Sequence, residues 1–239
     1  MLYGIISDIH SNKQALDAVL VQLKDVDKII CLGDIIGYGP EPNECVEIIR
    51  GLNGIVIVGN HDLASLGEKD IELFNPHAKE AILWTTTRLN EENKRYLRDL
   101  PYKANFENAV VVHGSLRDFT DEYILSVYDA LGSFELLEHE ILFIGHTHAP
   151  YYFQKGDRVY GERLRNGDII KIDGIKRIIN VGSVGQPRDV DNRASFAIFD
   201  TEKKEIEIKR VPYDISKTQR LMREYKLPDF LIFRLEIGI

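Results

Sequence analysis

Residues 31–40 read Cys31-Leu32-Gly33-Asp34-Ile35-Ile36-Gly37-Tyr38-Gly39-Pro40. An apolar strand, Lys28 to Leu32, runs into a lone carboxylate beside glycine, where two further glycines and a proline turn the chain. An unpaired buried carboxylate is expensive, so Asp34 needs a cation, a hydrogen-bond network or water.

Working outward, the same event recurs. The strand Leu2 to Ile6 ends in Ser7-Asp8-Ile9-His10, and Gly54 to Val58 ends in Gly59-Asn60-His61-Asp62. Ala109 to Val112 ends in His113-Gly114, and Ile141 to Ile144 ends in Gly145-His146-Thr147-His148. Singly these pieces are weak, because 19 Asp and 7 His in 239 residues give about 0.6 Asp-x-His pairs by chance. Their shared position is the signal, because ligands of open α/β sheets bind outside the carboxyl ends of the strands.

Helical patterns separate the first strands. Ser11-Asn12 can cap a helix with Ala15, Leu16, Val19, Leu20 and Leu23 on one face. Pro42 suits the first turn of a second helix that turns Val46, Ile48, Ile49 and Leu52 inward. Alternating strands and helices predict βαβ units. Residues 63–100 carry no convincing strand and read as helical, with segments near 78–89 and 91–100, in a helical insertion expected near 63–108. Glu122 to Leu137 is expected to be helical. From Tyr151 onward short strands dominate, with turn signals at Arg165-Asn166-Gly167 and Asp173-Gly174, and predict a second, largely antiparallel sheet packed on the first. The absence of repeats and linker-like runs favours one domain over 1–239.

With 44% hydrophobic residues the chain can build a sizeable core. A net charge of −8, without a basic and aromatic groove, disfavours nucleic acid as a partner. The longest apolar runs are too short to span a bilayer, so no membrane partner is expected. Met1 leads straight into a strand without a basic leader, and Cys31 and Cys45 read as reduced core thiols; the expected location is cytoplasmic.

Asp, His and Asn offer oxygen and imidazole nitrogen without thiolate, a donor set for Mn, Fe, Co, Ni or Zn rather than a closed structural zinc site. Asp8, His10, Asp34, Asn60, His113, His146 and His148 are seven candidate ligands, too many for one tetrahedral ion. Two ions sharing a carboxylate would use them all, with Asp34 the natural bridge.

The ordered set Asp8-x-His10, Gly33-Asp34, Gly59-Asn60-His61-Asp62, His113 and Gly145-His146-x-His148 resembles the calcineurin-like metallophosphoesterase superfamily. The resemblance implies a four-layer α/β/β/α sandwich, with two mixed sheets packed face to face and flanking helices. It implies two divalent transition ions, manganese favoured: one on Asp8, His10 and His148, the other on Asn60, His113 and His146, with Asp34 between them. Many members carry a second acid three residues after the Asp34 position, where this chain has Gly37. That acid is not a usual metal ligand in the family, so no metal loss is expected. Gly-Tyr-Gly-Pro and the stretch Asn180 to Arg188 resemble small bacterial and archaeal phosphatases or phosphodiesterases of the superfamily.

The implied activity is hydrolysis of a small phosphomonoester or phosphodiester, nucleotides included, by metal-activated hydroxide. His61, beside Asn60 but outside the ligand set, is the candidate proton donor to the leaving alkoxide. Asp62 reads two ways: it holds the other ring nitrogen of His61 and raises its imidazolium character, or it caps the following helix. Tyr38 and Arg188 are candidate substrate contacts, against a packing tyrosine and a surface arginine. A protein Ser/Thr phosphatase is the alternative enzyme; the chain is short for the eukaryotic type. A non-catalytic scaffold of the same fold would have lost a ligand or the acidic histidine, and this chain keeps them all. These motifs specify neither the substrate nor the oligomeric state.

Overall fold

The computed structural model describes residues 1–52 and 54–239. In chain order it runs β1 (Leu2–Ile6), α1 (Lys13–Gln22), β2 (Lys28–Cys31), α2 (Pro42–Gly51), β3 (Gly54–Val56) and α3 (Asn60–Ser65). A 3-10 turn at Ile71–Leu73 precedes α4 (Pro76–Arg88) and α5 (Glu91–Arg98). Then come β4 (Lys103–Phe106), β5 (Ala109–Val112), α6 (Val127–Leu136), β6 (Ile141–Ile144), β7 (Tyr151–Lys155) and β8 (Val159–Arg163). The chain ends with β9 (Ile169–Lys171), β10 (Arg177–Asn180), β11 (Ala194–Asp200), β12 (Glu205–Val211), α7 (Ile215–Glu224) and α8 (Asp229–Ile237).

Local signals hold at several ends. Asn12 caps α1 by accepting from the Ala15 N–H at 3.2 Å, while Ser11 turns into the left-handed region. Pro42 opens α2. Three expectations need correction. The helical stretch stops at Arg98, and Lys103–Phe106 is a strand paired with β5. The helix expected from Glu122 begins at Val127, where Ser126 and Asp129 form a capping box and fix its start. The sheets also do not divide the chain into an early and a late half.

Their strand orders are β3-β2-β1-β11-β12-β9 and β4-β5-β6-β10-β7-β8. Each has a parallel centre, β1 with β2 and β3 in one and β5 with β6 and β10 in the other, extended by antiparallel strands. Strand–helix–strand spacing announces parallel neighbours, but the late strands β11, β12 and β9 join the first sheet through one long-range pairing, with Ile5 opposite Ala197.

Side-chain alternation builds the layers. Tyr3 and Ile5 of β1, Ala109 and Val111 of β5, and Ile141 and Phe143 of β6 face the space between the sheets. Ile6 turns the other way onto Ala15, Leu16 and Val19 of α1; Val110, Val112, Leu142 and Ile144 turn onto Ala130 and Phe134 of α6. The central strands β5 and β6 are covered on both faces, which explains their continuous apolar runs. Phe143 is fully buried between Phe106 and Phe199, with both ring centroids 6.0 Å away. Phe143→Ala is expected to remove about 3–5 kcal/mol of stability, read by urea unfolding; a loss under about 1 kcal/mol would contradict this packing.

Candidate metal centre

The donors sit where the parallel strands stop, and the backbone there is forced. Asp8, His10, Asp34, His146 and His148 all have positive φ, between 49° and 65°, as do Ser11 and Tyr38. Such non-glycine residues cost about 1–3 kcal/mol each and persist only where their surroundings over-determine them. The lacing is visible: Asp8 N–H donates to Gly33 O at 3.1 Å, His10 N–H to Asp34 O at 3.0 Å, and Ser11 N–H to Ile35 O at 2.9 Å. The bends aim alternate side chains into one space. Glycine is needed beside them, because a Cβ at Gly145 would collide with Ser7 and Asp8, and one at Gly59 with Asp34.

Two donor groups share one residue: Asp8, His10, Asp34 and His148, and Asp34, His113 and His146, with donor atoms in each group within 4.8 Å of one another. His10, His113 and His148 point Nδ1 at the carbonyls of Ile36 (3.1 Å), Leu32 (2.8 Å) and Gln186 (2.7 Å). Each thereby turns Nε2 into the cluster as a donor atom for a cation. His146 is reversed: its Nε2 meets Asp121 O at 3.0 Å and Nδ1 is left for the cluster. Asp34 Oδ1 accepts from His61 N–H at 2.8 Å, while Oδ2 lies 3.5 Å from His10 Nε2 and 3.4 Å from His113 Nε2. Asp8 Oδ2 accepts from His146 N–H at 3.0 Å, and Oδ1 lies 3.1 Å from His148 Nε2. Asn60 begins α3 and lines the same cavity as His61 and His146.

Asp8 Oδ1, Asp34 Oδ2, Asn60 Oδ1 and His113 Nε2 are buried without a hydrogen-bond partner. Left so, each costs on the order of 1–3 kcal/mol. Four such atoms on the expected ligands fit a divalent cation site with nitrogen and oxygen donors.

Charge follows the same geometry. Burial pushes Asp8 and Asp34 up, but the surrounding imidazoles outweigh it and hold both well below the usual carboxylate range. Burial opposes a proton on His113, yet Asp34 and Asp8 raise it to about 9. A cation in that group competes with this proton. Burial lowers His146 to about 4 and His148 to about 3, helped by His113 and Arg188 respectively.

Asp62 does not hold the His61 ring. As the third residue of α3 it folds back to accept from Gly59 N–H, and its other oxygen accepts from Ile36 N–H, both at 3.0 Å. It caps the helix and ties it to the Asp34 turn. His61 Nδ1 has no partner, and the ring is enclosed by those of Tyr38 (4.3 Å between centroids), His10 (4.9 Å) and Phe74 (5.1 Å). Burial therefore drives its pKa well below the ordinary value, with only Asp34 raising it appreciably. The expected rise in imidazolium character is absent.

Tyr38 and Arg188 both line a cavity of about 490 Å³ with Asn60, His61 and His146. The Arg188 guanidinium lies 5.6 Å from the Tyr38 ring centroid and donates to Gln186 Oε1 at 2.8 Å; its Nε is buried and unpartnered. Sequence reasoning named none of the rest of the wall: Leu73, Phe74, Asn75, Asp118, Asp121 and Tyr123. Tyr123 stacks on His146 with centroids 3.9 Å apart and rings 15° from parallel. No local pattern announces it. The reach of the Asn180 to Arg188 stretch to His148 through Gln186 O was in plain sight only as a glycine-rich turn.

Residues 1–204 match the profile of the calcineurin-like phosphoesterase superfamily domain. An uncharacterized protein of Methanocaldococcus jannaschii is 39% identical over 249 aligned positions, covering 99% of this chain and 98% of that protein. The crystal structure of a metallophosphoesterase from Sphaerobacter thermophilus is 42% identical with a TM-score of 0.93, covering 100% of this chain and 99% of that one. A hypothetical protein from Pyrococcus horikoshii shares the fold at 24% identity, with a TM-score of 0.81 over 100% of this chain and 98% of its own.

Proposed function

The chain belongs to the calcineurin-like phosphoesterase superfamily, and from that premise we propose that it hydrolyses a small phosphomonoester or phosphodiester at the two donor groups that share Asp34. The observation that carries this reading is the convergence of four buried, unpartnered donor atoms beside a cavity of about 490 Å³. Asp8, His10, His148 and Asp34 would hold one divalent ion; Asp34, Asn60, His113 and His146 would hold the other, with manganese favoured. The bound pair would supply Lewis acidity, drawing charge from phosphate oxygens and making water acidic near neutral pH.

The chain's own residues do the rest. The unpartnered Nε of Arg188 offers a charge-assisted hydrogen bond to a phosphate oxygen, and the Tyr38 ring keeps the guanidinium in place. His61, whose ring lines the cavity, is the donor to the leaving oxygen. Burial disfavours a proton on its imidazole in the metal-free chain, so the negative phosphate must raise its proton affinity on binding. Asp62 keeps α3, and with it Asn60 and His61, at a fixed height above Asp34. We read residues 1–239 as one domain whose helical insertion supplies Leu73, Phe74 and Asn75 to the substrate wall. Among the described residues no helix is long and apolar enough to cross a membrane.

Manganese at about 100 times its dissociation constant is expected to stabilise the fold by about 2.7 kcal/mol. For a chain of this size that is a rise in Tm of about 5–10 °C, reversed by a chelator and read by calorimetry. The decisive assay offers bis-p-nitrophenyl phosphate, p-nitrophenyl phosphate, cyclic nucleotides, a dinucleoside polyphosphate and a phosphopeptide to protein loaded with Mn, Ni, Co, Mg or Zn. Metal-dependent turnover of a small ester is expected. No turnover of any of them with two bound ions per chain would defeat the proposal in favour of a scaffold, and turnover of the phosphopeptide alone in favour of a protein phosphatase.

A further inference from the structure

The cavity beside the donor groups is lined by two kinds of side chain. Asn60, His61, His146 and Arg188 are polar. Leu73, Phe74 and Tyr123 bring apolar and aromatic surface to the same wall, and they come from two segments far apart in the chain. A site for a small, fully polar phosphoester has no use for that surface. Leu73 is 81% exposed and Tyr123 46% exposed, a large apolar area to leave in water at the mouth of a charged pocket.

Tyr123 is also already ordered. One face of its ring is covered by His146 at 3.9 Å and 15°, and the half-exposed ring lines the cavity. Phe74, which lines the same cavity, is held edge-on against His61 at 5.1 Å and 81°. A flat ring with one face occupied loses little freedom when a second ring stacks on the other face, so the stack is pre-organised. Aromatic offset stacking needs a planar partner; a bulky saturated group fills the same space without the face-to-face contact.

We propose that the substrates of this site carry a planar aromatic group on the esterified oxygen, and that Tyr123 is the specificity-determining residue that stacks on it, with Leu73 covering its edge. This rests on the reading that the phosphoryl group seats at the Asp34 donor groups. Tyr123 then serves twice: its covered face steadies His146, and its other face selects the ester.

Phosphonates of matched size test this without requiring turnover. Manganese-loaded protein is titrated by calorimetry with inorganic phosphate, methylphosphonate, benzylphosphonate and cyclohexylmethylphosphonate. Benzylphosphonate is expected to bind about tenfold tighter than methylphosphonate, and several-fold tighter than its saturated counterpart. Tyr123→Phe should keep that preference and Tyr123→Leu should erase the difference between the flat and the saturated ring. Benzylphosphonate binding no tighter than methylphosphonate in the unaltered protein overturns the inference, as does a flat-ring preference that survives Tyr123→Leu. Failure of inorganic phosphate itself to bind would instead strike at the phosphoesterase reading.

Discussion

Asp34→Asn is expected to lower kcat/KM by at least about 10³-fold, about 4 kcal/mol of transition-state stabilisation at 1.36 kcal/mol per tenfold, and to reduce bound manganese below two ions per chain. The substitution is nearly isosteric, so the amide oxygen can still accept from His61 N–H as Asp34 Oδ1 does at 2.8 Å. What it removes is the charge on Oδ2, the atom within 3.5 Å of both His10 Nε2 and His113 Nε2. Asp34 is common to both donor groups, so one change weakens two sites. Elemental analysis and kinetics on the same preparation check this. A variant that kept two manganese ions and unaltered kinetics would remove Asp34 from the centre of the proposal.

The second large effect concerns His61. His61→Ala is expected to leave manganese content unchanged and to cut kcat by about 10²–10⁴-fold for esters with poor leaving groups, the range of a lost general acid. Esters of p-nitrophenol should suffer far less, because that leaving group departs without a proton. The measurement is the dependence of kcat on leaving-group pKa, which should steepen in the variant. An equal loss across all leaving groups would mean that the ring serves packing. That outcome has a concrete basis, because the ring lies 4.3–5.1 Å from the rings of Tyr38, His10 and Phe74. Unfolding curves of the variant separate the two effects.

Much of the site was legible because its residues announce themselves locally. Asp8 and His10 follow an apolar strand by two and four residues, and His146 and His148 do the same after β6. A charged or imidazole side chain directly after a buried strand, next to glycine, reports both its chemistry and its position. Asp62 showed the opposite. Both of its readings were local, the His61 ring or the helix start, and the structure adds a donor neither contained, Ile36 N–H, 26 residues away. The strand at Lys103–Phe106 was missed because it is short and half polar, and it exists by pairing with β5.

From the sequence came the strand-end donors, because strand period, glycine at a turn and ligand-type side chains are properties of a few consecutive residues; the four-layer class came through the family resemblance that those motifs carry. Tertiary structure alone decided which sheet each strand joins, that Asp62 caps a helix and leaves the His61 ring free, and that Tyr123 lies against His146. Those outcomes depend on which surfaces meet across the fold, and burial and hydrogen-bond satisfaction settle that only once the two sheets have closed on each other.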